Sequence, residues 1–448
     1  MGALTRHALG DRVVHWDARS GRGFMLPADA DARTIELRTQ RLQPDADRSS
    51  WVVHRSRRVL LLPDERALWV PCPSLRTSGG FPYRALPLDD ATLAVWSAVN
   101  DSRTVADLER AGLDVSHAID ALAGFDVQAL QLWPQRVPVA RLRHLEAPVR
   151  PDHERTADQF DTTGSTALGA YHDAIADASV QFDDRETTVA HALAVPHPGL
   201  GGVAFGARLR TALEARGFDT SATVEVGCGT GELARDWRSG SAGGPYTRVD
   251  RSLGLLAAQQ ERAPGSVGVL GDATCLPLKT GSVRCLVSNE VLADLPSQRT
   301  PTGWDNTGAR AMVDEVARVL EPGGRAYLSE FGVVEGEVEE ACQLDHPEVA
   351  IAFGPLARHA REQGLRAEIV RLDDLLGADL HAPQLARHSW EAVRALGRSR
   401  GFPLSARAWT PDSLTLPWAV EGLEYTTLAD EGPGPLITRF WALLLHAP

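Results

Sequence analysis

Lysine and long apolar runs are scarce in this sequence. Only one lysine, Lys279, occurs among 448 residues, and 59 acidic residues outnumber 46 basic ones, which gives a net charge of −13. No run of about 18 apolar residues is present, so no membrane span is expected. Residues 1–7 contain no apolar core of a secretory signal, so we expect a cytoplasmic protein.

Cysteine is also rare, and its spacing excludes the usual metal sites. No two of the five cysteines are spaced as paired metal ligands, so neither a metal centre nor a disulfide framework is predicted. They are interpreted as reduced thiols of a cytosolic protein. The five are Cys72, Cys228, Cys275, Cys285 and Cys342.

Positive charge is lacking where a nucleic-acid-binding protein would need it. Residues 1–150 hold 20 arginines and 18 acidic residues, a net of +2, whereas the remainder has a net of −15. An acidic surface repels a phosphate backbone, so nucleic acid is not an expected partner. The length predicts two or three domains, and 43% hydrophobic with 23% charged residues is typical of a globular protein.

Four short apolar runs organise the stretch from residue 222 to residue 295. Each run ends in glycine or an acidic residue, and successive runs begin roughly 20 residues apart, which is the pattern of parallel strands in βαβ units. The first run leads through Gly227, Gly229 and Gly231 into a predicted helix. Such a loop lets a ligand approach the backbone and the helix N-terminus.

The acids that end the next two runs make this pattern more specific. Asp250 is placed to accept from two ribose hydroxyls, and Asp272 to accept from the exocyclic amine of adenine. This ordered set resembles the class I S-adenosylmethionine (SAM)-dependent methyltransferases over about residues 200–335. A helix followed by Pro322, Gly323 and Gly324 resembles that family's post-core motif. A nicotinamide-dependent oxidoreductase and a structural Rossmann domain are the alternatives.

The resemblance implies a Rossmann-like seven-stranded α/β sheet, SAM as cofactor and a set of binding residues. The glycine loop would hold the methionine moiety, Asp250 the ribose, and Asp272 with Ala273 the adenine, while Asn289 and Glu290 would lie beside the methyl group. The implied cofactor-binding residues are Glu225, Gly227, Gly229, Gly231, Asp250, Arg251, Asp272, Ala273, Asn289 and Tyr171.

The N-terminal domain is predicted over residues 1–140 as an α+β winged helix. A hairpin (residues 51–62 and 67–70), a loop to residue 87, three short helices and a strand at 127–133 resemble the PqqD-like domains that recognise leader peptides of ribosomally made, modified peptides (RiPPs). Those domains bind a leader as an added strand. The alternative is a winged helix that serves only to form a homodimer.

Residues 141–200 are predicted to form a linker and lid helices, followed by the methyltransferase domain at 201–448. In that lid, Tyr171 and His172 would face the sulfonium, unless Tyr171 only packs and His172 is solvated. An insertion at about 336–410 is expected to shape the acceptor pocket, with helices at 346–364 and 384–401. Residues 418–427 and 436–446 are predicted as the last antiparallel strand pair.

The chemistry predicted from these residues is methyl transfer to an amine. A carboxylate orients an ammonium group and takes its proton, whereas an oxygen acceptor needs a stronger base such as histidine. The predicted catalytic residues are Glu290, Asn289 and His172, although Glu290 would serve equally as a helix cap. His346, His359 and His381 are candidate bases without a motif.

The first-ranked hypothesis is a SAM-dependent methyltransferase that N-methylates a ribosomally made peptide, resembling the daptide-type RiPP enzymes. A small-molecule O-methyltransferase with a dimerising N-terminal domain is one alternative. A protein arginine methyltransferase is another, because residues 288–296 partly match such a branch. A non-catalytic SAM-binding module is the third.

Overall fold

The computed structural model divides the described chain into two compact units. The first comprises residues 1–157, 388–403 and 415–424, and the second comprises 158–387, 404–414 and 425–448. The residues that the structure describes are 5–9, 12–17, 22–27, 32, 35, 48–71, 83–123, 127, 129–133, 188–239, 244–301, 303–338, 340–343, 346–402, 404, 407–430 and 437–448.

Three small sheets and three helices form the N-terminal part of the first unit. The strands are β1 (Thr5–Leu9), β2 (Arg12–Asp17), β3 (Arg22–Pro27), β4 (Val52–Arg55), β5 (Leu60–Leu62), β6 (Ala67–Pro71), β7 (Tyr83–Pro87) and β8 (Leu130–Trp133). The helices are α1 (Asp90–Ala98), α2 (Val105–Arg110) and α3 (Val115–Leu122). The sheets have the orders β1-β2-β3, β4-β8 and β5-β6-β7, with every pair antiparallel.

Side-chain caps explain where the three helices begin. Asp89 accepts from the backbone N–H of Thr92, Thr104 forms a capping box with Asp107, and Asp114 accepts from the backbone N–H of His117. Each cap satisfies a backbone donor that has no partner within the helix.

The N-terminal prediction is right about most elements, including the closing strand β8, and wrong about two. The loop predicted at residues 71–87 contains strand β7, which was not recognised because a proline precedes it and another ends it. The hairpin arm predicted at residues 51–62 is divided into β4 and β5, and β4 pairs with β8 instead of β6. Assignment of these elements to the winged-helix class stays a prediction.

The second unit is built on one main sheet, which positions the candidate site, and three separate strand pairs, β13-β14, β16-β17 and β20-β21. The strands of the unit are β9 (Thr223–Val226), β10 (Tyr246–Asp250), β11 (Val267–Leu270), β12 (Val283–Asn289), β13 (Gln298–Thr300), β14 (Gly303–Asp305), β15 (Leu320–Val333), β16 (Glu340–Gln343), β17 (His346–Val349), β18 (Ile351–Ala352), β19 (Arg366–Arg371), β20 (Pro383–Leu385), β21 (Tyr425–Thr427) and β22 (Phe440–His446). The main order is β11-β10-β9-β12-β15-β22-β19, with β18 attached to β15.

Only β22 runs antiparallel to its neighbours in this main order. The helices that accompany the strands are α4 (Val189–Ala192), α5 (Phe205–Ala215), α6 (Glu232–Arg238), α7 (Leu253–Arg262), α8 (Thr307–Val319), α9 (Phe353–Glu362), α10 (Leu372–Leu376) and α11 (Arg387–Ser399). Residues 388–399 of α11 belong to the first unit.

Two apolar cores cover the opposite faces of the main sheet. Cys285 and Val287 pack into the core that includes α5 and α6, whereas Leu286 between them packs into the core that includes α8 and α9. Successive residues of a strand point to opposite faces, so a strand covered on both faces is apolar throughout. This explains the apolar run at residues 285–287 within β12.

The predicted seven-stranded Rossmann-like sheet is present, but one of its strands lies elsewhere in the sequence. Residues 418–427 were predicted to join the sheet, yet only Tyr425–Thr427 is a strand there, and it pairs with β20. The sheet uses β19 instead. Strand β19 is an edge strand with both ends charged, so its apolar signal is weak. The helix predicted at 346–364 also begins later, because β17 and β18 precede α9.

None of the helices that the structure describes is both long enough and apolar enough to cross a bilayer. The predicted domain boundaries near residues 140 and 200 stay predictions.

Candidate active site

A turn containing three glycines connects β9 to α6. Gly227, Gly229 and Gly231 have φ angles of +71°, +47° and +85°, which L side chains rarely adopt. A Cβ atom on Gly227 would lie 2.0 Å from Cγ2 of Val291. The loop therefore depends on glycine both for its conformation and for its packing, and its backbone is open to close approach by a ligand.

Asp250 ties this loop to the end of β10. Its side chain is 7% exposed, and its Oδ2 accepts from the backbone N–H of Gly229 at 3.2 Å. Its Oδ1 accepts from the backbone N–H of Ser252 at 3.0 Å. The carboxylate thus lies beside the glycine loop at the carboxyl edge of the sheet, where parallel sheets bind ligands.

Glu225 lies beneath the loop and is 2% exposed. Its pKa is raised to about 8, chiefly by burial and to a smaller extent by the Asp250 carboxylate, while the hydrogen bond from Tyr246 and the charge of Arg248 oppose the rise. The Tyr246 hydroxyl donates to Oε2 at 3.0 Å. Direct contact between Glu225 and a cofactor stays a prediction. In the structure, Glu225 supports the glycine loop by packing beneath it.

Asp272 and Arg251 form a half-exposed pair at the next strand end. Arg251 Nη1 lies 3.3 Å from Asp272 Oδ2, while Oδ1 accepts from the backbone N–H and the hydroxyl of Thr274 at 2.8 and 2.7 Å. Ala273, which follows, is buried. The predicted cofactor-binding residues Arg251, Asp272 and Ala273 thus lie together at one edge of the sheet.

Asn289 and Glu290 lie where β12 ends. Asn289 Oδ1 accepts from the hydroxyls of Ser329 and Tyr327 at 2.9 and 3.3 Å, so its Nδ2 points the other way and donates to Glu290 Oε1 at 2.8 Å. Strand β15 therefore fixes the orientation of the Asn289 amide.

Glu290 combines an unusual backbone with a perturbed carboxyl group. Its φ is +59°, and its Oε1 also accepts from the backbone N–H of Val189 at 2.6 Å. Burial raises its pKa to about 8, and the carboxylates of Glu348 and Asp294 add to that rise. Among the described residues, none donates a hydrogen bond to its Oε2.

The sequence analysis missed Glu330, a second buried carboxyl group on β15. It is 3% exposed, and its pKa is raised well above the usual range by burial and then by Glu290. Its Oε1 and Oε2 accept from the backbone N–H groups of Phe331 and Ala293 at 3.0 and 3.1 Å. An acid at the end of an otherwise apolar run was the available signal.

The remaining predicted residues are not brought to this site by the described structure. Tyr171 and His172 lie outside the described residues, as does the side chain of His346. His359 Nε2 lies 2.7 Å from Asp314 Oδ1 on the facing helix, and His381 lies in the turn after α10. Within the described ranges, no group of three or more His, Cys, Asp or Glu side chains is arranged to hold a metal ion.

These residues fit a SAM cofactor. The glycine loop has no room for a side chain at Gly227, the carboxylate of Asp250 ends the neighbouring strand β10, and that of Asp272 follows β11 by two residues. Residues 224–328 match the family model described as a methyltransferase domain.

One curated relative matches part of the chain. The biotin biosynthesis bifunctional protein BioHC of Cellvibrio japonicus (strain Ueda107) is 32% identical over 130 residues, which are 29% of this chain and 23% of that protein. The chain therefore spans about a quarter of the length of this relative.

Solved structures with a related chain path are more distant. The [4+2]-cyclase SpnF is 15% identical with a TM-score of 0.39, covering 64% of this chain and 96% of its own. The glycopeptide N-methyltransferase MtfA is 16% identical with a TM-score of 0.31, covering 54% and 96%. A TehB-like SAM-dependent methyltransferase from Corynebacterium glutamicum is 17% identical with a TM-score of 0.28, covering 38% and 78%.

The class that the matched region defines is the SAM-dependent methyltransferase. Residues 224–328 form a methyltransferase domain, and S-adenosylmethionine is its cofactor. This confirms the predicted enzyme class and cofactor, and leaves the acceptor and the role of the first unit to be proposed.

Proposed function

We propose that this chain methylates an amine nitrogen of a ribosomally made peptide during RiPP biosynthesis. The observation that carries the proposal is the Glu290 carboxyl group, with one oxygen held by Val189 and Asn289 and the other without a donor among the described residues. SAM supplies an electrophilic methyl group at this edge of the sheet when it is bound.

The pKa of Glu290 suits an amine acceptor. An α-amino group has a pKa of roughly 8 and a lysine amine roughly 10, so each is largely protonated and unreactive at neutral pH. A carboxyl group with a pKa of about 8 accepts such a proton at small cost, because proton transfer is easiest between groups of similar pKa. Asn289 orients the carboxyl group, and Glu290 takes the proton as the acceptor approaches.

His191 lies on helix α4, which contacts Glu290, and it is a poor base. It is 1% exposed, and burial together with Arg407, Arg262 and Arg235 lowers its pKa to about 3. A base with so low a pKa does little to remove a proton from an acceptor. We therefore assign the base role to Glu290 and not to His191.

The first unit supplies an edge that fits an extended peptide. At the β5 edge of the β5-β6-β7 sheet, Leu61 and Glu421 exchange two backbone hydrogen bonds of 2.9 Å, so the chain already covers that edge. In the part of the chain that the structure describes, no strand pairs with the outer side of β7. A leader peptide added there would gain main-chain hydrogen bonds.

A proline in β7 tests this proposal. The backbone N–H of Leu88 donates to the carbonyl of Arg66, on the β6 side of β7. Along an edge strand, successive N–H groups point alternately toward the neighbouring strand and away from it. The N–H of Ala85 therefore points to the open side of β7. Ala85→Pro removes that donor, and Ala85→Val keeps it. We expect Ala85→Pro to raise KM at least about tenfold for a leader-bearing precursor and to leave turnover of the leaderless peptide unchanged.

The result that would contradict the peptide-recognition role is equally specific. If Ala85→Pro and Ala85→Val had the same KM for the leader-bearing peptide, the β7 edge would not bind the leader. If the intact chain turned over both peptides equally, residues 1–140 would have no role in recognition.

A further inference from the structure

A buried glutamine lies directly behind the glycine loop. Gln259 on α7 is 0% exposed, and its Nε2 donates to the backbone carbonyl of Gly229. Its Oε1 accepts from the Cys228 thiol at 3.2 Å and from the Arg248 guanidinium. Because both of these groups are donors, the amide must turn its oxygen toward them and its nitrogen toward Gly229.

The peptide groups around Gly229 are therefore held from two sides. The backbone N–H of Gly229 donates to Asp250 at 3.2 Å, and its carbonyl accepts from Gln259. A Cβ atom on Gly231 would lie 3.1 Å from Cγ of Gln259, so the stem of this side chain also packs against the loop. Held in this way, a run of glycines with positive φ loses the freedom that glycine otherwise retains.

We infer that Gln259 is a positioning residue for the methyl donor, fixing the Gly229 carbonyl so that the loop meets SAM in its bound conformation. A site that is ordered before binding does not pay the entropy of ordering at that moment. The inference rests on donor binding by the methyltransferase domain, and it is independent of the acceptor proposed above.

The neighbouring residue provides a matched control. Gln260 follows on the same helix, is exposed, and its Oε1 accepts from Nη2 of the same Arg248 at 3.2 Å. The described hydrogen bonds connect Gln260 with Arg248 and not with the loop. Loss of the Gln260 side chain therefore removes a bond to the buried arginine but none to the glycine loop.

The experiment measures the Kd for S-adenosylhomocysteine by calorimetry on the full chain. The unfolding temperature of each ligand-free variant is measured as well, to show that the variant is folded. The variants are Gln259→Leu, Gln259→Glu and Gln260→Leu. The Gln259→Glu side chain keeps an oxygen for Arg248 and Cys228 but loses the donor to Gly229, so it remains informative if Gln259→Leu fails to fold.

We expect Gln259→Glu to weaken binding at least about tenfold, because a buried carbonyl loses its donor. Gln260→Leu is expected to stay within about twofold of the parent chain. In turnover, the KM for SAM should rise for Gln259→Glu while kcat at saturation changes much less, since the bond acts on the donor site. Equal affinities for Gln259→Glu and Gln260→Leu would overturn the inference.

Discussion

At the scale of single residues, the chemistry depends on two neighbours at the end of β12. Two hydroxyl groups of β15 fix the orientation of the Asn289 amide. Its Nδ2 then donates one hydrogen bond to Glu290 and so orients that carboxyl group. The left-handed backbone of Glu290 places its carboxyl group between this amide and the N–H of Val189. Non-glycine residues in this conformation cost energy that the surroundings must supply, and they cluster at functional sites.

Glu290→Gln tests the base role through its pH dependence. The carboxyl pKa is about 8, close to that of an α-amino acceptor, so the base form of Glu290 and the neutral form of the amine both accumulate as the pH rises. In Glu290→Gln we expect kcat/KM at pH 7 to fall about 10²- to 10⁴-fold, and the rate that remains to follow only the deprotonation of the peptide amine. Initial rates against pH, with product quantified by mass spectrometry, provide the measurement.

Asp294→Asn is the matched control for this prediction. The Asp294 carboxylate contributes to raising the pKa of Glu290, so removing its charge should lower that pKa. The pH profile should keep its height and move to lower pH. A Glu290→Gln variant that retained the full rate would remove Glu290 from the mechanism.

The carboxyl groups of Glu290 and Glu330 differ in how far the sequence predicted them. Glu290 was predictable because it follows a recognisable strand at the edge where this fold binds ligands. Glu330 also ends an apolar run, but its burial depends on the pairing of β15 with β12 and β22, which no local pattern encodes. The sequence also could not predict the pKa of either group, since burial is a tertiary property.

At the scale of elements, the turn between β9 and α6 is the most constrained segment of the site. Gly227→Ala places a methyl group 2.0 Å from Val291, in a backbone that favours glycine. We expect it to lower the free energy of unfolding by about 2–4 kcal/mol, and to abolish measurable binding of S-adenosylhomocysteine. Denaturant unfolding and calorimetry measure the two effects.

Gly281 offers the matched control for this substitution. Its φ is +65°, yet nothing lies within 4 Å of the Cβ position. Gly281→Ala should therefore show only the backbone cost of about 1–2 kcal/mol and bind S-adenosylhomocysteine normally. Adding Val291→Ala to Gly227→Ala should recover part of the lost stability. Equal costs for Gly227→Ala and Gly281→Ala would refute the crowding argument.

The elements that the sequence predicted share a strong local pattern. Strands β9, β10 and β12 combine apolar residues with a glycine or polar residue at the carboxyl end, and helix α8 begins and ends as predicted to within a residue. Strands β7 and β19 were missed because an edge strand with prolines or charges looks like a loop.

At the scale of the whole molecule, the first unit is completed by segments distant in sequence. Within that unit, Trp69 Nε1 donates to the carbonyl of Ala392 at 3.0 Å, and Arg58 pairs with Glu391 at 2.8 Å. Glu421 covers the edge of β5 through its backbone. The insertion expected to shape the acceptor pocket therefore contributes residues 388–403 to the first unit.

This organisation predicts that residues 1–157 are incomplete alone. The fragment leaves the indole N–H of Trp69 and the edge of β5 without their partners, so its unfolding temperature should rise when a synthetic peptide of residues 388–424 is added. The same peptide carrying Trp390→Ala, which removes a side chain that is 3% exposed, should stabilise the fragment much less. A fragment unaffected by either peptide would contradict this description of the unit.

The most direct measurement of the central claim follows a labelled methyl group. The full chain is incubated with SAM carrying a labelled methyl carbon and with a candidate RiPP precursor peptide, with and without its leader, and fragment-ion mass spectrometry locates the label. We predict label on an amine nitrogen of the peptide, and a kcat/KM at least about tenfold lower without the leader. Label on an oxygen atom, no label in the peptide, or equal turnover of the leaderless peptide would contradict the account.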